Sequence, residues 1–458
     1  MFEILDRQTR LTGNQKKILA AAIIGDALEF FDYFLIGFVL AFLIGPWKLT
    51  FNQFAIVFLS SGIGALLGAY VWGWIADRIG RRPVFIGTVL NFSIATGLLY
   101  FTPENGWVYL TIMRFFVGFG VGGLYCVDLP LVQEFMPSSK RGWVGGLVTC
   151  VIPLGVGLGG VLGAFMGPGQ WRLLFLIGLA PALIVLLVRL WVPESPRWLV
   201  RQGRYDEARK SLAWALQVDP KALPMPDART LGEPVKTNWF DLFKYPRSLA
   251  VSWLGNAGAQ TGAYGISLWA PTLFVLILKV TPQEASKMFI LLTVSGFIGR
   301  LCFSYLSEKI GRRNCGGLLG FGAAVLIVLA GYNYNTMIFG VSAFWLILAA
   351  AMFFVDGGFA IVGPYAAEVW PSHLRTSGMG SAYGFGGIGK IIGPLGLAMI
   401  VGSSNFVKPD VPLDAIPLAF VYLGAWFALA GVVYYFLGIE TKGKSIEQID
   451  KELGVARA

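Results

Sequence analysis

The chain has 458 residues, 56% of them hydrophobic and 14% charged, with a formal net charge of +10. A soluble domain carries about 25% charged residues and could not keep this share of apolar side chains dispersed in water, so hydrocarbon is the matching solvent. The positive excess does not mark a nucleic-acid protein, because no aromatic-interleaved basic patch lies outside the joints between apolar runs.

A polar stretch ending at Lys16 and Lys17 comes first, and no cleavable leader is expected from it. About twelve apolar runs of bilayer-spanning length follow. They centre near Ile36, Ala65, Ile94, Gly120, Leu154, Ala182, Gly265, Leu291, Ile327, Ala350, Gly387 and Ala425, and are numbered here as spans one to twelve. Many of the 59 glycines fall inside them, as suits helices that approach closely in lipid. Short alternating β-barrel segments are absent.

Span one carries Asp26, Glu29 and Asp32, whose spacing of three puts them within about 120° of one helix face. Burial and like charge both favour protonation of such a set, which suits a proton-coupling group. The joint after span two reads Asp77-Arg78-Ile79-Gly80-Arg81-Arg82, and span four carries Arg114 and ends in Glu134-Phe135-Met136-Pro137 before Lys140 and Arg141. After span six comes a polar stretch, 193–247, with helical periodicity over Arg204 to Leu216 and prolines at 220, 224, 226 and 234.

The punctuation then repeats. Glu308-Lys309-Ile310-Gly311-Arg312-Arg313 lies 231 positions after the first loop, Glu368-Val369-Trp370-Pro371 with Arg375 lies 234 after its counterpart, and Glu194-Ser195 returns as Glu440-Thr441. The predicted fold is therefore an all-α membrane protein of twelve helices in two pseudo-symmetric six-helix bundles, 1–192 and 248–440, with 193–247 as linker and 441–458 as tail. The basic residues crowd alternate joints, which predicts a multi-pass plasma-membrane protein with both termini cytoplasmic.

Several charges inside spans have no mirror image. At the repeat offsets Asp32 falls on Ala263, Arg114 on Leu348, Arg300 on Ala69, Asp356 on Gly122 and Lys390 on Val156. Ionisable residues in a span are costly, and those outside the shared frame are candidates for substrate and coupling work. An unneutralised cation among Arg114, Arg300 and Lys390 would attract a carboxylate. Asn256, Gln260 and Tyr264 form a hydrogen-bonding stripe in span seven, Trp269 and Phe34 offer flat walls, and Tyr33 joins the candidate ligands. Cys126, Cys150, Cys302 and Cys315 lack metal-like spacing, and the single His373 builds no metal site. No P-loop and no nucleophile–base set is present, so an enzyme or an ATP-driven pump is not expected.

These motifs resemble the major facilitator superfamily over nearly the whole chain. Arg114 with Gly118, Gly120, Gly122 and Gly123, then Pro193-Glu194-Ser195-Pro196-Arg197-Trp198, and Ala270-Pro271-Thr272-Leu273-Phe274 are similar to sugar-porter signatures. Leu374-Arg375-Thr376-Ser377-Gly378 with Gly389-Lys390-Ile391-Ile392-Gly393-Pro394 resembles proton-coupled carriers of aromatic acids, nicotinate and other metabolites. Sugar-porter amides are depleted: span five around Thr149 to Leu158 holds no Gln, and Tyr264 stands near the position of the usual Asn. The resemblance implies alternating access, with Asp32 as proton carrier and Arg114 its partner. It also implies a gating network of Asp77, Arg81, Glu134, Arg141, Glu308, Arg312, Glu368 and Arg375. The expected activity is proton-coupled symport of a small organic anion, the proton being the coupling ion and no cofactor being needed. A sugar or polyol symporter and an organic cation carrier are the alternatives. A monomer in a bacterial inner membrane is expected.

Overall fold

The computed structural model describes residues 2–137, 140–167, 169–179, 192–225, 239–371, 374–402, 413–444 and 446–453. Among these, eleven helices are long and apolar enough to cross a bilayer. The sixth expected span begins as helix at 171–179, and its remainder lies outside the described residues. Apart from a two-residue hairpin, Met337–Ile338 with Val341–Ser342, the described architecture is all-α and follows the two-half helical repeat expected from the sequence.

The spans run Gly13–Trp47, Phe51–Ile79, Arg81–Leu99, Trp107–Glu134, and then span five as two helices, Arg141–Cys150 and Ile152–Phe165. The second half runs Pro246–Leu278, Pro282–Ile310, Arg312–Tyr332, Ala343–Glu368, span eleven as Arg375–Gly387 and Gly389–Gly402, and span twelve from Ile416 onward. Thr12, Thr50 and Thr281 cap spans one, two and eight through reciprocal bonds with a Gln or Glu three residues on. Gly80 and Gly311, at φ +106° and +91°, make the same sharp turn in the two halves.

The repeat extends to helix crossings. A Cβ on Gly68 would strike the carbonyl of Phe119, and one on Gly299 would strike that of Phe353. These residues are 231 and 234 positions apart, so spans two and four cross as spans eight and ten do. Small residues let such backbones meet.

The start of span one and the end of span twelve lie on one face, called here the terminal face. The two halves meet mainly away from it. In the pair of spans two and eleven, Gly402 lies against Phe51 and Gly62 against Ile391, at 3.2 and 3.0 Å from an added Cβ. Nearer the terminal face Gly384 reaches only the Tyr70 hydroxyl, at 4.0 Å, and beyond it Gly73 and Gly380 face open space. Trp269 reinforces the far-face closure: it is fully buried, stacked on Phe51 and Phe54 and edge-on to Phe58, across the boundary between the halves. The halves are thus sealed on the far face, while spans two and eleven part toward the terminal face.

The linker helix is Tyr205–Leu216, beginning one residue after the predicted start. It is tied to the start of span one, with Thr12 Oγ1 donating to the Ala215 carbonyl and Asn14 Nδ2 to that of Trp214. Cys150, Cys302 and Cys315 are unpaired. The side chain of Cys126 is outside the described residues, as is His373.

Candidate transport site

The site lies at mid-membrane, where spans one, four, seven and eleven converge. Arg114 is fully buried. Its Nε donates to Ser61 Oγ at 3.0 Å, Nη1 to the Asp32 carbonyl at 3.2 Å and Nη2 to the Tyr33 carbonyl at 2.7 Å. The guanidinium therefore holds span one by its backbone. The Asp32 carboxylate instead accepts from Thr96 Oγ1 at 2.8 Å, and its Oδ1 is buried without a hydrogen-bond partner. Gly178 of span six approaches that oxygen, at 3.3 Å from an added Cβ. The expected Asp32–Arg114 pair is a close electrostatic neighbourhood rather than a salt bridge, because the arginine's donors point at carbonyls and hydroxyl.

Glu29 is 2% exposed, and its Oε2 has no hydrogen-bond partner. The charges around it are Asp128 of span four, Lys390 of span eleven and Asp32. Asp26 is buried on the same helix, nearer the terminal face.

Lys390 makes no hydrogen bond or ion pair among the described residues. It is half-buried, and its Nζ stands 5.1 Å from the ring centre of Tyr264 and 5.8 Å from that of Tyr33. Tyr33 and Tyr264 meet edge to face at 5.8 Å, and Phe34 stacks on Tyr264 at 5.4 Å. A half-buried ammonium before two aromatic faces is held by their quadrupoles and keeps its three N–H donors for a ligand. One turn and two turns along span seven, Gln260 Nε2 donates to Asn256 Oδ1 at 3.1 Å, and Asn256 Nδ2 is buried without a partner.

The other unmirrored cation is occupied. Arg300 Nη2 lies 3.6 Å from Asp356 Oδ1, and Nη1 donates to the carbonyl of Thr149 in the opposite half. Trp269 corrects the sequence reading: its indole donates to the Pro394 carbonyl at 3.1 Å, and the residue belongs to the far-face seal rather than to the space before Lys390. The sequence pattern showed an aromatic two turns beyond Gln260 but not the three phenylalanines of span two that enclose it.

Sequence reasoning passed over Asp128, Thr96 and Ser61. Asp128 had a signal of the same kind as Lys390, an acid inside span four with Val362 at its repeat position. Thr96 and Ser61 are ordinary membrane residues in sequence, and only the packing selects them.

On the terminal face the described members of the expected network pair within each half, in the same way in both. Arg81 Nε lies 3.4 Å from Glu134, and Arg312 Nε lies 3.4 Å from Glu368. Glu194 accepts from the amides of Arg81 and Arg82, and Glu440 from that of Arg312 at 2.9 Å. Ser195 donates to Glu134 as Thr441 does to Glu368. Each Glu thus neutralises the N-terminal amides of span three or nine while holding the exit of its own half. Arg312 also pairs with Glu308 at 2.6 Å, and Arg375 Nε donates to the Trp370 carbonyl at 3.2 Å. The side chains of Asp77 and Arg141 are outside the described residues.

The two-bundle fold, the split spans five and eleven and a polar centre in hydrocarbon define a membrane transporter that binds a small molecule, not an enzyme. The profile of the sugar (and other) transporter family matches residues 17–453, and the chain belongs to that family, within the major facilitator superfamily. It is similar to the niacin transporter NiaP of Acinetobacter baylyi, 29% identical over 93% of this chain and 94% of the relative. The cis,cis-muconate transport protein of the same organism is 25% identical over 81% of each chain. Among solved structures, the partially occluded inward-open form of the Escherichia coli xylose transporter XylE superimposes with a TM-score of 0.73, at 19% identity, covering 95% of this chain and all of that one. That likeness concerns the fold.

Proposed function

We propose that the protein is a proton-coupled symporter of a small organic anion, an aromatic or other conjugated carboxylate. The observation that carries this reading is Lys390: half-buried, without hydrogen bond or ion pair among the described residues, and facing the rings of Tyr33 and Tyr264. A carboxylate satisfies the ammonium, and a flat π-system packs against the two rings. Niacin and muconate, named for two of the relatives, are carboxylic acids with conjugated frames. A sugar offers neither the charge nor the flat face.

Asp32 is the proton carrier in this reading. Its carboxylate rests on one threonine, with one oxygen unbonded, beside an arginine committed to the backbone of the same turn. Protonation would remove its attraction to Arg114 and loosen span one. Glu29 is the resident counter-charge of Lys390, relieved when the substrate carboxylate takes that role. The terminal face is cytoplasmic, following the basic joints, and the membrane is a bacterial inner membrane.

The test is uptake into proteoliposomes with and without an inward proton gradient, with labelled nicotinate, benzoate and hexoses in parallel. Gradient-stimulated acid uptake that Lys390→Gln removes is the expected result. Hexose uptake without acid uptake would reverse the substrate assignment.

A further inference from the structure

Spans five and eight form the second contact between the halves, and their contacts follow an antiparallel register. From the far face inward, Gln283 Nε2 donates to the Met166 carbonyl at 2.8 Å, Ser286 lies against Gly163 and Gly160, and Thr293 against Gly157. Arg300 on Thr149 is the next contact in the series. One turn further, opposite Ser304, a Cβ on Gly146 would meet nothing within 4 Å. Among the described residues, the bond from Arg300 to Thr149 is therefore the innermost tie between these spans, at the point where the halves begin to part.

The Thr149 carbonyl accepts the Val151 N–H, two residues on, and its ordinary helical donor is missing for a local reason. In a continuous helix the Thr149 carbonyl would accept from the N–H of residue 153, and residue 153 is proline, which has none. The helix accordingly breaks at Val151, between Arg141–Cys150 and Ile152–Phe165. The donor is held equally firmly. Arg300 is 5% exposed, with Asp356 against one side of its guanidinium and the Phe359 ring 5.1 Å from Cζ. Asp356 in turn lies directly on Gly296, one turn before Arg300 in span eight.

We infer that Arg300 is a gate residue: its bond to the Thr149 carbonyl, which lacks its helical donor at Pro153, closes the path between the central site and the terminal face, and breaks each time that path opens. The pair is unmirrored, since Arg300 corresponds to Ala69, so the gate is one-sided. One charge-assisted bond suits a thin gate, strong enough to bias two states and weak enough to break each cycle.

The test needs no substrate, so it stands or falls apart from the organic-anion reading. The full-length protein, with Cys126, Cys150, Cys302 and Cys315 changed to serine, receives spin labels through Gly146→Cys and Ser304→Cys. Inter-label distances are then measured in lipid nanodiscs. Arg300→Gln removes the charge and draws the donor back from the carbonyl, while Pro153→Ala gives residue 153 an N–H that reclaims the carbonyl and leaves every charge in place. Both are expected to raise the long-distance population about three-fold or more, as loss of roughly 0.7 kcal/mol of closure requires, and Arg300→Lys to restore part of the short one. Unchanged distances in both variants would overturn the inference. So would a shift in Arg300→Gln alone, because the helical donor missing at Pro153 would then play no part.

Discussion

The joints on the terminal face and the middle of the membrane obey opposite rules. At the joints every important contact exists twice: Arg81 with Glu134 and Arg312 with Glu368, Glu194 and Glu440 on the amides of the following helix. At mid-membrane Asp32, Arg114, Asp128, Arg300, Asp356 and Lys390 each occur once. A rocking frame needs two equivalent bodies, and the joints are built alike because they do the same work in each. A bound solute is not symmetric, so groups that serve it need no counterpart in the other half, and these six have none.

The comparison can be broken most directly at Lys390. Lys390→Gln should lower uptake of carboxylate substrates by about 100-fold, the scale of a buried charge-assisted bond of some 3 kcal/mol, while leaving folding intact by thermal unfolding in detergent. A loss below about three-fold would return the charge to a packing role. Asp32→Asn should abolish accumulation driven by a proton gradient yet retain substrate exchange between the two sides, since exchange requires no net proton movement. Equal loss of both activities would make Asp32 a structural residue instead.

The mirrored joints should behave as equals. Glu134→Gln and Glu368→Gln each remove one partner of a partly exposed ion pair, worth about 1 kcal/mol after solvent screening, or roughly five-fold in the balance of states. Accessibility of terminal-face cysteines should shift by that factor in both. A large effect from one and none from the other would show that the joints are less alike than their contacts.

The smallest effect is expected at the far-face joint. Hydrogen bonds from Arg172 and then from Trp47 hold the Glu104 carboxyl below the usual carboxylate range. Because its proton affinity is depressed in the fold, Glu104 contributes stability at neutral pH and loses it as pH falls through that lowered value. Glu104→Gln should therefore flatten the acid limb of thermal unfolding and leave transport unchanged.

The sequence made the frame readable because its signals are local or repeated: apolar length, capping residues and the two loops 231 positions apart. Lys390 was legible too, as a cation inside a span without a mirror image. What could not be read was the direction in which side chains point. Arg114 and Asp32 appeared to be a pair by family position, yet the arginine bonds to two carbonyls and a serine. Arg300 resembled Lys390 in sequence, and only the break at Val151 reveals the carbonyl that engages it. Trp269 passed as a pocket wall because Phe51, Phe54 and Phe58, which cover it, belong to the other half.

The anchoring of the chain's ends bears on how this carrier can be watched. Its first residues and the linker helix are bonded to each other through Thr12 and Asn14, so both ride on the first bundle. The tail after Glu440 is held to the second, where Lys442 donates to the carbonyl of Lys309. A donor–acceptor dye pair on the two ends would report the swing of one bundle against the other in single molecules. A pair on the N-terminus and the linker helix would stay constant through the same motion, giving the recording its internal reference.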